Sequence, residues 1–241
     1  MLFRSVRLAP EEARHALRVL RLAPGAAVVL LDGRTAYAAV LTRLEGEAVW
    51  ARVEQPLPDC EPTVRITLCQ GLAKADKMEW IIQKCTELGV HAIQPLRLAR
   101  CVTRVEAGDA RILERWPRIA REAAKQCGRA RVPAIAAPAT IASLKTLWAA
   151  QHRIVVPWEA EDESGKGLRW ALDTPMRETA GAGPQHIALV IGPEGGITGE
   201  EVAQLRALGA QTVTLGPRIL RTETAGMAAL AALLALLGEM E

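Results

Sequence analysis

Arg218, Arg221 and Glu223 fall within six residues, directly after a short apolar run. Charged side chains crowded at the end of such a run are costly unless something charged is handled there. Arg221 can donate two hydrogen bonds at once through its planar fork. Its competing role is a structural ion pair with Glu223 or Glu194. Glu223 can accept a proton if desolvation raises its pKa, or it can favour the first turn of a helix, where acidic groups complement the backbone dipole. A second stretch, Gly192-Pro193-Glu194-Gly195-Gly196, follows another apolar run. Glycine allows close approach and positive φ, and proline stiffens the turn. Such a loop can offer bare backbone N–H and C=O groups to an adenine or a ribose. Glu194 either touches a ligand or only shapes the loop.

Strands and helices must position these loops. Residues 187–191 and 212–215 read as strands. The stretch 198–208 between them reads as a helix, because Thr198 and Glu201 have capping-box spacing and Val202, Leu205 and Leu208 recur at helical spacing. Strand, loop, helix, strand, loop, helix is the order of a parallel α/β layer, in which ligands sit beyond the carboxyl ends of the strands. The last helix is predicted over 224–240. It is apolar nearly all round, hence buried in the core or against a partner chain, and its uncharged run is too short to span a bilayer.

Upstream, residues 1–58 read as a small β-rich domain. A short helix opens at Pro10, with Leu17 and Leu20 spaced to face a core and Arg14, His15, Arg18 and Arg21 largely off that face. Strands are predicted at 28–31, 36–44 and 48–53, separated by Asp32-Gly33 and Glu45-Gly46-Glu47, a pattern that suits a small barrel. Prolines 56, 58 and 62 mark a linker, and a second domain is predicted over 63–241. It opens with a buried strand at 64–70 and an amphipathic helix at 74–88. A strand at 92–96 follows, then a loop carrying Arg97, Arg100 and Arg104. A helix at 109–127 is kinked by Pro117 or restarted there. A helix at 141–149 and a strand at 153–157 precede an acidic loop at 159–165 and a Gly/Ala loop at 179–184.

Half of the 241 residues are hydrophobic, enough for a sizeable core. Five cysteines without CxxC spacing argue against a zinc site and a disulfide framework, and for a reducing cytosol. The N-terminus lacks the apolar core of a signal peptide. The net charge of +3 is uneven. Residues 65–135 hold 14 Lys or Arg against 7 Asp or Glu, while residues 136–241 hold 8 against 12. The basic middle third is the place to look for a phosphate backbone.

Ile-Gly-Pro-Glu-Gly-Gly at 191–196 and Leu-Gly-Pro-Arg-Ile-Leu-Arg-Thr-Glu-Thr-Ala at 215–225 resemble the paired signatures of the SPOUT methyltransferases, specifically the 16S ribosomal RNA uridine-N3 methyltransferases. Residues 77–90 and 122–129 resemble the same family, and Cys127, where the family commonly has Ser, reads as a small packed side chain. His15, Val19-Leu20-Arg21 and the Asp32-Gly33 turn are similar to its N-terminal module, whose longer lead-in implies a shortened first strand here. The resemblance implies an α/β fold: a C-terminal trefoil-knot methyltransferase domain with an N-terminal PUA-like RNA-binding β-barrel. It also implies S-adenosylmethionine as cofactor, a homodimer, no metal, no membrane, a cytoplasmic location, and 16S ribosomal RNA of the small subunit as partner, with uridine 1498 as target.

Carried over residue by residue, Ile191, Gly192, Pro193, Glu194, Gly195 and Gly196 would hold the cofactor together with Leu215, Gly216, Arg218, Ile219, Leu220, Thr222, Thr224 and Ala225. Arg221 would stabilise the uracil anion, with Glu223 as candidate base or cap and the proton acceptor unassigned. RNA-contact candidates are Arg4, Arg7, Arg14, His15, Arg18, Lys74, Lys77, Arg115, Lys125 and Arg129, the last facing the site of the other subunit in a dimer. Two other readings stay open: a SPOUT enzyme acting on tRNA or a ribose hydroxyl, and a non-catalytic RNA-binding assembly factor.

Overall fold

Turn residues divide the N-terminal part into short strands, and the computed structural model places them so. It describes residues 5–103, 105, 109–160, 166–176 and 184–240. Strands β1 (Ser5–Arg7), β2 (Ala27–Leu31), β3 (Ala36–Glu45) and β4 (Ala48–Pro56) form one antiparallel sheet in the order β1-β4-β3-β2. Alternation on β3 and β4 turns Ala39, Leu41, Val49 and Ala51 inward, against Ala13 of helix α1 (Pro10–Arg14). This unit extends to Glu61 and takes in Lys125–Arg131. One expectation fails here. α1 passes into a π-helical turn over His15–Val19, which widens the coil. The next residue, Leu20, is carried outward and is 55% exposed, whereas Ala16 is buried.

The second unit is built on six parallel strands: β5 (Arg65–Gly71), β6 (Ala92–Leu96), β7 (Ala134–Ile135), β8 (Arg153–Pro157), β9 (His186–Ile191) and β10 (Gln211–Val213). Their order is β10-β8-β9-β5-β6-β7, so β9 lies between β5 and β8. Strands covered on both faces read as near-continuous apolar runs, which is why 187–191 carries no polar residue. Alternate residues serve two cores. Ile66, Leu68, Ile187 and Leu189 join one, and Cys69, Ala188 and Val190 join the other.

Helix α2 (Ala75–Glu87) inserts Met78, Ile81, Ile82 and Cys85 into the first core. Helix α3 (Ala110–Cys127) carries Pro117 inside it, so the proline does not restart the helix. The predicted helix at 141–149 is a 3₁₀ segment, Ile141–Leu144, followed by α4 (Lys145–Ala149). The short α5 (Leu168–Asp173) is held by Arg153, whose guanidinium donates to the carbonyls of Ala171, Thr174 and Leu172. Helix α6 (Gly199–Ala207) starts at the Thr198–Glu201 capping box, both hydrogen bonds being formed. Helix α7 (Thr222–Leu236) begins two residues earlier than expected, with Arg221 as its N-cap. It buries Ala229, Leu230, Leu233 and Leu234 in the core it shares with α2, which accounts for one side of this apolar helix within a single chain.

All five cysteines are free. Burial pushes the Cys85 thiol up to about 12 and raises that of Cys69 as well, so both are inert packing groups. Among the described residues, no helix is long and apolar enough to cross a membrane.

Candidate functional site

Parallel strands in this order bring three loops to one edge of the sheet. The loops after β8 and β9, with the segment leading into α7, enclose a cavity of about 410 Å³. Its lining is Lys77 from α2, Pro157-Trp158-Glu159 after β8, residues 191–197, residues 219–222, and Ala225.

Local packing explains the glycines after β9. A Cβ on Gly192 would lie 2.9–3.1 Å from Ile197 and the Gly196 backbone, and one on Gly195 would lie 2.9 Å from the Arg100 Cβ. Arg100 Nη1 also donates to the Gly195 carbonyl at 3.0 Å. Gly196 turns the chain with φ +73°, and a Cβ there would lie 2.6 Å from the Glu159 carboxylate. The loop is therefore a bare backbone wall facing the cavity.

Charge is organised around Lys77. Its Nζ stands 3.6 Å from Glu194 Oε1 and 3.2 Å from Glu223 Oε2. Glu223 lies in the first turn of α7, where the dipole favours an acid, but it makes no capping hydrogen bond. Its Oε2 is buried without a hydrogen-bond partner. Arg221 is exposed on the cavity rim, and among the described residues no carboxylate pairs with it. The competing ion pair with Glu194 or Glu223 is absent, because both carboxylates turn to Lys77.

Burial pushes the Glu194 carboxyl up, but hydrogen bonds from its own amide and that of Lys74, with the Lys77 ammonium, hold it below its usual 4.5. A lowered carboxyl stabilises the fold fully above its unfolded pKa and loses that contribution as pH falls through the folded value. Glu194→Gln should therefore melt below the wild type at neutral pH, and the two melting curves should converge in acid. A gap that persists well below pH 4.5 would show that the charge is not what stabilises.

Of the cofactor candidates, Ile191, Gly192, Pro193, Glu194, Gly195, Gly196, Ile219, Leu220, Thr222 and Ala225 line the cavity. Leu215, Gly216, Arg218 and Thr224 do not. Ile219 is 89% exposed. Thr222 is buried and its hydroxyl donates to the Gly192 carbonyl. The lining residues that sequence reasoning missed are Pro157, Trp158, Glu159 and Ile197. Nothing in the sequence sets the end of β8 beside β9.

The RNA candidates divide. Arg7, Arg14, His15 and Lys74 are exposed, and Arg4 lies outside the described residues, as does Arg104. Arg18 pairs with Glu47 at 2.7 Å, Arg115 grips Glu79 through Nε at 2.5 Å and Nη2 at 2.7 Å, and Lys125 pairs with Glu12. Exposed pairs of this kind are weak and can yield to a phosphate. Arg129 is different: it is 4% exposed and holds Glu61 through two nitrogens, at 3.0 and 2.6 Å. That buried pair makes it a structural residue of the N-terminal unit and corrects its assignment as an open RNA contact. Among the described residues no cluster of His, Cys, Asp and Glu is arranged to hold a metal.

Comparison with known proteins places this geometry. An RNA methyltransferase domain model matches residues 60–234, and an RNA methyltransferase PUA domain model matches residues 8–54. A ribosomal RNA small subunit methyltransferase E from Bacillus subtilis is 33% identical over 226 residues, covering 92% of this chain and 87% of that protein. Its namesake from Mycobacterium bovis is 34% identical over 234 residues, covering 92% and 83%. The crystal structure of the Neisseria gonorrhoeae protein of the same name, bound to S-adenosyl methionine, superposes with a TM-score of 0.82 at 36% identity, covering 98% of this chain and 93% of that one.

Proposed function

The chain belongs to the ribosomal RNA small subunit methyltransferase E family, and from that premise we propose that it methylates N3 of a uridine in 16S ribosomal RNA, in the cytoplasm, with S-adenosylmethionine as donor. The cavity suits that cofactor. Its wall at Gly192 and Gly195 is bare backbone into which a Cβ would not fit, Ile191, Ile219, Leu220 and Ala225 add apolar surface, and Glu159 supplies negative charge for a cationic molecule. When bound, S-adenosylmethionine supplies an electrophilic methyl on a sulfonium.

The remaining work falls to the chain's own residues. Uridine N3 carries a proton and is a poor nucleophile until it is lost, so the site must hold the base in line and stabilise the anion spread over N3 and its two flanking carbonyls. Arg221 serves this best, since its fork can donate two hydrogen bonds along one uracil edge. The observation that carries the reading is the pairing pattern: Glu194 and Glu223 go to Lys77, and among the described residues no carboxylate pairs with Arg221 at the rim. Glu223 pairs with Lys77 from the first turn of α7.

Incubation of the protein with labelled methyl donor and unmodified small ribosomal subunits, followed by mass spectrometry of the nucleosides, should yield 3-methyluridine. Label on a ribose, label only on tRNA, or no transfer would each overturn the proposal.

The homodimer belongs to the same proposal. Beyond its buried side, α7 leaves Ala228 and Ala235 exposed on the part of the helix that carries no charge after Glu223, seven residues apart and so on one face. Ala228→Arg with Ala235→Arg should give a folded monomer by light scattering. A dimer of unchanged mass would place the interface elsewhere.

A further inference from the structure

The last residues of β5 do not line the cavity, but one of them, a buried amide, hydrogen-bonds residues that do. Gln70 is fully buried. Its Nε2 donates to the carbonyls of Gly71 at 3.0 Å and Gly192 at 3.3 Å, and to the Thr222 hydroxyl at 2.9 Å. The Thr222 hydroxyl in turn donates to the Gly192 carbonyl at 2.6 Å. Two carbonyl acceptors dictate which way the amide points. Its Oε1 is left buried and without a partner. A Cβ on Gly226 would stand 3.3 Å from that oxygen, so the glycine lets α7 lie close against the amide. Glycine inside a helix destabilises it relative to alanine, and an unpartnered buried oxygen is a further cost.

We infer that Gln70 is a positioning residue for methyl transfer: a buried clasp that ties the bare loop after β9 to the first turn of α7. Resting on the function proposed above, it sets the distance between the cofactor wall at Gly192 and the guanidinium of Arg221, which directly precedes Thr222. Apart from the Thr222 hydroxyl, which is itself a member of the clasp, Gln70 is the side chain whose donor reaches both segments among the hydrogen bonds described. The clasp has three members on three elements far apart in sequence: Gln70 is 122 residues from Gly192 and 152 from Thr222. Small misplacement of reacting groups has large effects on rate, about 10²-fold for 1 Å. Loss of the clasp should therefore weaken cofactor binding and also slow the step that follows it.

Gln70→Leu and Thr222→Val remove the amide donor and the hydroxyl at similar volume. Each should raise the KM for S-adenosylmethionine and lower kcat at saturation, each by about tenfold or more. Thr222→Ser, which keeps the hydroxyl, should restore most of the lost rate. The double variant should be little worse than the poorer single, because residues acting as one unit are not additive. A drop in melting temperature with kcat unchanged at saturation would overturn the positioning role. If Gln70→Leu fails to fold, the Thr222 pair carries the same test.

A second readout needs no activity. The amide of Gly196 bonds to Pro193, and those of Thr224 and Ala225 bond to Arg221. In ligand-free Gln70→Leu, hydrogen exchange at all three should accelerate together, while the β1–β4 sheet is unaffected. Acceleration in one segment only, or in neither, would refute the clasp. A wild-type protein that neither binds S-adenosylmethionine nor methylates RNA would instead sink the function proposed above, and the exchange result would still decide on Gln70.

Discussion

Arg221→Lys should slow single-turnover methylation of small subunits by about 10²–10³-fold, even when RNA and cofactor both saturate. The substitution keeps the charge and loses the fork, so a residue acting only by attraction would recover, and one aligned on the uracil edge would not. Hydrogen bonds that strengthen as N3 loses its proton are worth more in the transition state than in the ground state, and their loss appears in kcat. Among the described residues Arg221 has no carboxylate partner, so no ion pair there is broken along with it. Exposed basic residues of α3 provide the contrast. Arg115 and Lys125 are less suitable, since each already holds a glutamate. Arg111 and Arg118 share one exposed face without such partners among the described residues. Arg118→Ala should weaken RNA binding, reduce its salt dependence, and leave the saturated rate nearly unchanged. Wild-type rates for Arg221→Lys at saturating RNA would make Arg221 a binding residue and end its assignment to the anion.

Gly196→Val should abolish measurable S-adenosylmethionine binding by calorimetry in a protein that still folds. Two effects combine. A β-branched residue at φ +73° is strained by about 1–3 kcal/mol, which is already about 5- to 150-fold in affinity if the loop moves to relieve it. The new Cβ also meets the Glu159 carboxylate, 2.6 Å away, and fills the cavity wall. Glu159→Ala added to Gly196→Val should recover only part of the loss, since it removes the clash and leaves the strain. Gly195→Val should act differently, by displacing Arg100, and Gly216→Val through its φ of +93° alone, because a Cβ there meets nothing within 4 Å. Gly199→Ala, at an open position without positive φ, should bind as the wild type does. Wild-type affinity in Gly196→Val would reduce the loop to an ordinary turn.

Much of the second unit was readable from local chemistry. Residues 92–96 and 153–157 are strands with the bounds that periodicity and punctuation assign, and Thr198 with Glu201 makes the capping box their spacing implies. Local signals are enough there because each element carries its own start, stop and apolar face. The failures are of another kind. Leu20 turns outward because a π turn changes the helical period, which an i, i+3 count assumes constant. Arg129 is an interior ion pair because Glu61, 68 residues away, reaches it. Glu159 enters the cavity wall, and Lys77 gathers Glu194 and Glu223, only because β8 and β9 end and α2 begins at one edge of the sheet. These contacts depend on strand order, and strand order leaves no trace in the spacing of residues along the chain.

The place of β9 between β5 and β8 also governs how the chain comes to be folded. A growing polypeptide that has emerged only as far as α5 holds both neighbours of the missing strand, each with an unpaired edge. The central pairing of the sheet joins segments more than a hundred residues apart, as Gln70 and Gly192 illustrate. Such non-local closure is slow, and open edges are the sites at which nascent chains stick to one another. Completion of this unit therefore waits until β9 has emerged, and a truncation before His186 should leave an aggregating fragment rather than a smaller working domain.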